Sequence, residues 1–250
     1  MGRLLHFEFH KLIRQKSFYI CLAVLVGMLV VSAETSQLLY ADSEALSPTL
    51  NALDNLMGSA SGSVLTMVLG VFIPLFVCED FASGTIRNII TRGYTRLEIF
   101  FSKLIAVLCA CVVMTVICMA AGYLIGLAFW GAGDGSFTGA QVKILLCQLL
   151  VTLAIASLFY AISTVLQKAG GSIAVCLVLP MVMSIILTLA DTALAEKEIV
   201  LSAYWIERAG GVLASTDVST DELTKSLLTA LAYLAVTITG SWFLVRNREY

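Results

Sequence analysis

Few side chains in this 250-residue sequence could do chemistry, and their spacing narrows what that chemistry is. His6 and His10 are four apart, so a helix would set both imidazoles on one face, where they could share a metal ion. Without a third ligand they read more simply as polar-face residues, and no metal is expected. Gly131-Ala132-Gly133-Asp134 matches the Gly-x-Gly-Asp pattern of aspartyl proteolysis inside membranes. That chemistry needs two facing carboxylates sharing a proton, and no apolar segment supplies the second. The densest polar stretch runs from Glu79 to Lys103 and carries Arg87, Arg92 and Arg96, a set suited to meeting an acidic partner or anionic lipid. The sequence contains no Gly-Lys dipeptide, no His-Glu-x-x-His and no Gly-x-Ser-x-Gly. A phosphate-binding loop, a zinc-protease helix and a nucleophile elbow are therefore absent, and no enzymatic activity of the chain's own is expected.

The elements that must position these residues are set by composition. Hydrophobic residues make up 59% of the chain and charged ones 13%, with mean hydropathy +0.95, against a soluble norm of about a quarter charged. An all-α membrane protein follows, because spans of a barrel alternate polar and apolar positions. Six charge-free gaps of 17 to 30 residues place transmembrane helices at 17–38, 60–78, 97–129, 143–166, 171–190 and 224–245, in one transmembrane domain over 1–250. Val31-Ser32-Ala33 resembles a signal cleavage site, but the apolar run is long for a signal, so an uncleaved anchor is expected. The net charge of −2 predicts no nucleic-acid partner. Resolved by side it becomes eleven Lys or Arg against five acids, net +6, on the side of both termini, and net −8 on the other. Both termini are therefore expected in the cytoplasm. All seven cysteines fall in or at the ends of spans, as apolar packing residues rather than disulfides.

Between the spans, Leu5, Phe9, Leu12 and Ile13 recur at helical spacing, opposite Arg3, His10, Lys11 and Arg14. Residues 1–16 are expected as an interfacial amphipathic helix, with Phe7 out of place on its polar side. Ile86, Ile89 and Ile90 mark a second short amphipathic helix at 83–93, with Ser83 as its cap and Gly93 as its stop. Thr95 and Glu98 have the spacing of a capping box for the third span. Residues 191–222 are expected as an external helical segment, in which Tyr204, Trp205 and Glu207 either gate an exit or anchor at head-group depth. Pro74 and Pro180 should kink spans two and five, and Gly122 and Gly126 offer a small-residue packing face on span three. The spans lack central ionisable residues, which disfavours an ion-coupled carrier.

The order Glu79, then Gly84-Thr85-Ile86-Arg87-Asn88, then Arg96, then Lys103 resembles the permease subunits of type-2 ABC exporters, especially small bacterial ones for antimicrobial or cytolytic peptides. The resemblance covers the whole chain in architecture and about 25 residues in motif. It implies that the helix at 83–93 is a coupling helix docking on a separate ABC ATPase subunit, present in two copies, which would hold ATP and Mg while this chain holds no cofactor. Gly84 and Thr85 would begin that helix, and Ile86, Ile89 and Ile90 would seat it against the ATPase or the underlying helices. Arg87 and Arg92 would pair with acids of the ATPase, Asn88 lies between them, and Glu79 would pair with an Arg of the amino-terminal helix. A second permease copy, an amphipathic peptide cargo and a bacterial cell membrane with its lipid complete the implied set of partners. The alternative is a non-transporting immunity or sensor protein that binds an antimicrobial peptide, and least favoured is the intramembrane aspartyl protease.

Overall fold

The computed structural model describes residues 2–41, 51–61, 63–131, 138–193, 201–215 and 218–246, and every regular element among them is helical. Asp134 of the Gly-x-Gly-Asp pattern, and residues 194–200 and 216–217 of the expected external segment, lie outside the described residues. Six helical segments are long and apolar enough to cross a membrane: α2 (Lys16–Ala41), the pair α3 (Ala52–Ser61) and α4 (Ser63–Ala82), α6 (Arg96–Trp130), α7 (Gly139–Leu166), α8 (Ala169–Ala193) and α10 (Thr220–Arg246). The chain is a multi-pass membrane protein. Three shorter α-helices stand beside them among the described residues: α1 (Gly2–Arg14) leads into α2, α5 (Thr85–Thr91) joins α4 to α6, and α9 (Ile206–Val212) precedes α10.

Several helices start earlier than the charge-free gaps imply, because charges near a helix amino terminus are capping residues rather than borders. The second span begins at Ala52 rather than at 60, with Asp54 in the first turn accepting from the Asn51 amide at 3.3 Å. Helix α7 begins four residues ahead of Lys143, where Thr138 and Gln141 form a capping box. Helix α10 begins at Thr220 behind a reciprocal Ser219–Glu222 pair. Helix α2 continues without a break through Val31-Ser32-Ala33, and Pro74 and Pro180 are accommodated inside α4 and α8.

Helices α4 and α7 are the most buried of the spans and α8 the least. Their shared core is built from Phe72, Phe76, Phe159 and Tyr160, with Phe72 and Phe76 stacked at 5.9 Å. Lipid removes most of the hydrophobic drive between helices, so close packing and interhelical hydrogen bonds must hold them. Tyr160 donates its hydroxyl hydrogen to the Phe100 carbonyl at 2.9 Å, joining α7 to α6, and the Ser157 and Thr237 hydroxyls meet at 2.7 Å, joining α7 to α10. The small face on α6 is filled from within the chain. Helix α3 lies along it so closely that a Cβ on Gly126 would stand 2.7 Å from the Ala52 Cα, and one on Gly122 would overlap the Ser59 hydroxyl. Asn55 then reaches the Gly122 carbonyl at 2.6 Å.

Gly126→Ala is accordingly expected to lower stability by about 1–3 kcal/mol through overpacking against α3 backbone. Gly240→Ala, where nothing lies within 4 Å of the added carbon, should leave it unchanged. Thermal unfolding of the two variants in detergent compares them directly.

Candidate functional site

The charged side chains of α1, α4 and α6 meet in one cluster at the end of the bundle where α5 lies. Glu8, Asp80 and Lys103 have side chains 0%, 3% and 3% exposed. The Lys103 ammonium pairs directly with Asp80 and stands 3.6 Å from Glu8. Lys11 donates to Asp80 Oδ1 at 2.5 Å and lies 3.5 Å from Glu79, which also accepts from Gln15 at 2.9 Å. Both ammonium groups face the Phe76 ring, at 5.2 Å for Lys11 and 5.7 Å for Lys103. A buried charge without its partner costs several kcal/mol, so each of these groups holds the others in place.

This cluster decides how α1 lies. The face turned to the bundle is Leu4, Glu8 and Leu12, with Lys11 beside it, rather than the expected Leu5, Phe9, Leu12 and Ile13. Ile13 is exposed, and Leu5 and Phe9 form an apolar flank, while Arg3, His6, His10 and Arg14 form an exposed polar one. Lys11, expected on the solvent side, turns inward because Asp80 and Glu79 wait at the end of α4. Glu79 therefore meets a lysine of α1 and the glutamine at the break after it, not the expected arginine.

Helix α5 rests on this foundation. Ile86 and Ile89 are buried and Ile90 half-buried, with Ile89 packed among Leu4 of α1 and Ile99 of α6. The isoleucines thus seat α5 on its own chain. The amino-terminal cap is Gly84, in the left-handed region at φ 68°, in place of the expected Ser83, whose hydroxyl instead meets that of Thr85 at 2.7 Å. Gly93, also left-handed at φ 87°, ends the helix by donating its amide to the Ile90 carbonyl at 3.0 Å. Thr95 and Glu98 then form a reciprocal capping box that restarts the chain as α6. Asn88, Thr91 and Arg92 face outward, and the Arg87 side chain lies outside the described residues. A groove of about 410 Å³ separates α5 from α1, with Arg3, Phe7, Asn88 and Arg92 on its walls, which gives Phe7 its place. A larger opening of about 930 Å³ lies between the α1–α2 joint, the end of α4 and the α7–α8 joint, and reaches Glu79 and Asp80.

A family model described as a protein of unknown function, DUF2705, matches residues 20–250. The chain belongs to the DUF2705 family. No curated protein matches it. The match starts within α2, so Asp80 and Lys103 fall inside the DUF2705 region while their partners Glu8 and Lys11 precede it.

At the opposite end of this DUF2705 chain, a 3-10 turn (Leu201–Tyr204) and α9 cover the ends of α7, α8 and α10. Of the three residues expected there as a gate, Tyr204 is exposed, Trp205 is buried against Tyr233, and Glu207 accepts from the Trp205 indole at 3.4 Å. Gln148 of α7, which no local sequence pattern singled out, is fully buried and donates to the Met57 carbonyl of α3 at 3.1 Å and the Leu213 carbonyl just past α9 at 2.6 Å. It therefore fixes α3 and the end of α9 against α7.

Replacing Lys103 with Met should destabilise the protein by about 3–5 kcal/mol, because Glu8 loses its cation and Asp80 keeps only Lys11. Adding Glu8→Gln to that variant should recover part of the loss, as measured by denaturant titration in detergent; equal stability of single and double variants would contradict the pairing.

Proposed function

We propose that this chain is the membrane permease subunit of an ATP-driven exporter, moving an amphipathic peptide out of a bacterial cell with energy from a separate ABC ATPase. The seating of α5 carries the reading. A two-turn helix is wedged between α1 and α6, buries its isoleucines against its own chain, and turns Asn88, Thr91 and Arg92 away from it. A helix held rigidly underneath and polar on top can transmit a push; a loose interfacial loop could not. Glu79, Gly84, Thr85, Ile86, Arg87, Asn88, Ile89, Ile90 and Arg92 form the coupling segment in this reading, and ATP and Mg belong to the ATPase.

Both termini, α1 and α5 then face the cytoplasm, in agreement with the net +6 of that side. Helix α1 serves as the elbow helix, with Leu5, Phe9 and Ile13 toward lipid and Arg3, His10 and Arg14 toward water. Helices α2, α8 and α10, which expose long apolar faces, supply the surface for lipid and for a second permease copy. ATP binding would draw two ATPase subunits together, and the displacement of α5 would pass to α4 and α6 through the isoleucine seat and the ionic cluster.

Purification in detergent from the cells that make the protein should bring down a P-loop ATPase. Arg92→Glu should reduce the recovered ATPase about tenfold or more, as expected for a charged docking contact. Full activity of the chain with no co-purifying ATPase would sink the exporter reading in favour of peptide-binding immunity or sensing.

A further inference from the structure

The groove between α1 and α5 carries side chains that the seating of α5 does not require. Its floor is Leu4 and Ile89, both buried, and its walls hold Arg3 and Phe7 from α1 with Asn88 and Arg92 from α5. The four wall side chains are exposed, so they open onto the groove rather than into the packing beneath it. Two guanidinium groups and an aromatic ring thus stand over an apolar floor. Arginine and aromatic residues anchor protein interfaces, because each offers a large apolar or planar surface together with directional chemistry.

The side of α1 on which the groove opens decides what can reach it. At about 100° per residue, Phe7 stands about 160° around the helix from Phe9. Phe9 packs against the core of the spans, and Leu5 and Ile13 share its side. Phe7 turns the other way, among Arg3, His10 and Arg14, which is the aqueous side once α5 faces the cytoplasm. An anionic lipid head group would satisfy an arginine, but lipid approaches along Leu5, Phe9 and Ile13, away from the groove. A soluble protein approaches along Phe7. The space of about 410 Å³ equals the share of about fourteen waters in the liquid, room for a few side chains of an incoming segment.

We infer that this groove receives an acidic segment of the ATPase, with carboxylates on Arg3 and Arg92 and an apolar side chain between Phe7 and the Leu4–Ile89 floor. The planar fork of each guanidinium matches a carboxylate with two parallel hydrogen bonds. The inference rests on the exporter reading and extends it, because the partner then holds α1 as well as α5. A partner touching only the outer face of α5 can push it. One whose segment lies in the groove grips both helices and can also draw them back. Lys11 pairs with Asp80 and Glu8 stands beside Lys103, so a pull on α1 is carried to α4 and α6.

The test keeps the complex whole. Photoreactive p-benzoylphenylalanine replaces Phe7 in the cells that make the protein, and Ile13 in a parallel variant. After irradiation the tagged chain is purified in detergent and its adducts are identified by mass spectrometry. The Phe7 variant should join to an acidic segment of a P-loop ATPase, and the Ile13 variant should not. Arg3→Glu should lower the ATPase recovered with the chain about tenfold or more. Arg14→Glu makes the same charge change on α1 outside the groove and should lower recovery by no more than about twofold. Reversing the charge of the acid found in the adduct should restore recovery with Arg3→Glu, which a merely misfolded variant would not allow. A Phe7 adduct on lipid alone or on a second copy of this chain would overturn the groove and leave the exporter reading standing. So would the absence of any adduct while Arg92→Glu still lowers ATPase recovery. If the unaltered protein brings down no ATPase, the exporter reading falls and the groove assignment falls with it.

Discussion

A buried ammonium shared by two buried carboxylates sets the conditions for the rest of this protein. Lys103 lies inside the first turns of α6, Asp80 at the end of α4 and Glu8 in the middle of α1, and the low dielectric around them makes each charge costly without the others. Helix α1 thus cannot peel away from the bundle as an ordinary interfacial helix could, because leaving would take Glu8 from Lys103 and Lys11 from Asp80. Helix α5 in turn depends on α1, since Leu4 forms one wall of the seat for Ile89. The chain of dependence runs from the ion pair to α1 to α5.

The two ends of the bundle solve the same problem by different means. Near α5 the polar groups are full charges that neutralise one another. Near α9 the ties run to backbone groups: Gln148 ties α3, α7 and the end of α9 with two amide hydrogens, and the Asp191 carboxylate at the end of α8 accepts from the Ser202 amide at 3.2 Å. Between the ends, apart from the Ser157–Thr237 pair, several hydroxyls return to their own helices. Thr115, Ser163 and Thr188 each donate to the carbonyl four residues earlier, so they add no demand on neighbouring spans. Interhelical fixation is thereby concentrated at the two ends and at the α3–α6 contact, where Gly122 and Gly126 let backbones touch.

How much of this was legible in the sequence follows from what each feature needs. The spans were legible because charges are sparse, and their ends were misjudged where charges do capping work, at Asp54 and Glu222. The α5 segment was legible from Ile86, Ile89 and Ile90, because those residues are periodic within one turn or two. The bundle-facing side of α1 was not. Counting apolar residues favours Leu5, Phe9 and Ile13, but a helix lying between protein and lipid has two dry sides, and the protein side here carries Glu8. A glutamate between Leu4 and Leu12 at four-residue spacing is the one local sign that a cation had to be waiting. Its identity, Lys103, is a matter of tertiary structure, as are the partners of Gln148.

The placement of the ionic cluster also bears on what kind of motion the fold allows. Helices α4 and α6 are joined covalently through α5 and electrostatically through Asp80 and Lys103, so their ends at this side move as one body with α1. Among the described residues α8 enters no ion pair with this cluster and is the least buried span, and α2 follows α1 across the break at Gln15. A force applied to α5 would therefore act on α1, α4 and α6 together against α7, α8 and α10, across the Tyr160–Phe100 bond and the Cys78–Ser172 contact that tie the two groups. The seam between those groups at this end is where the opening beside Glu79 and Asp80 already lies, bounded by α4 on one side and the α7–α8 joint on the other. Closing or widening that opening requires no buried charge to lose its partner, whereas separating α4 from α6 would; rigid-body movement along this seam is the low-cost path.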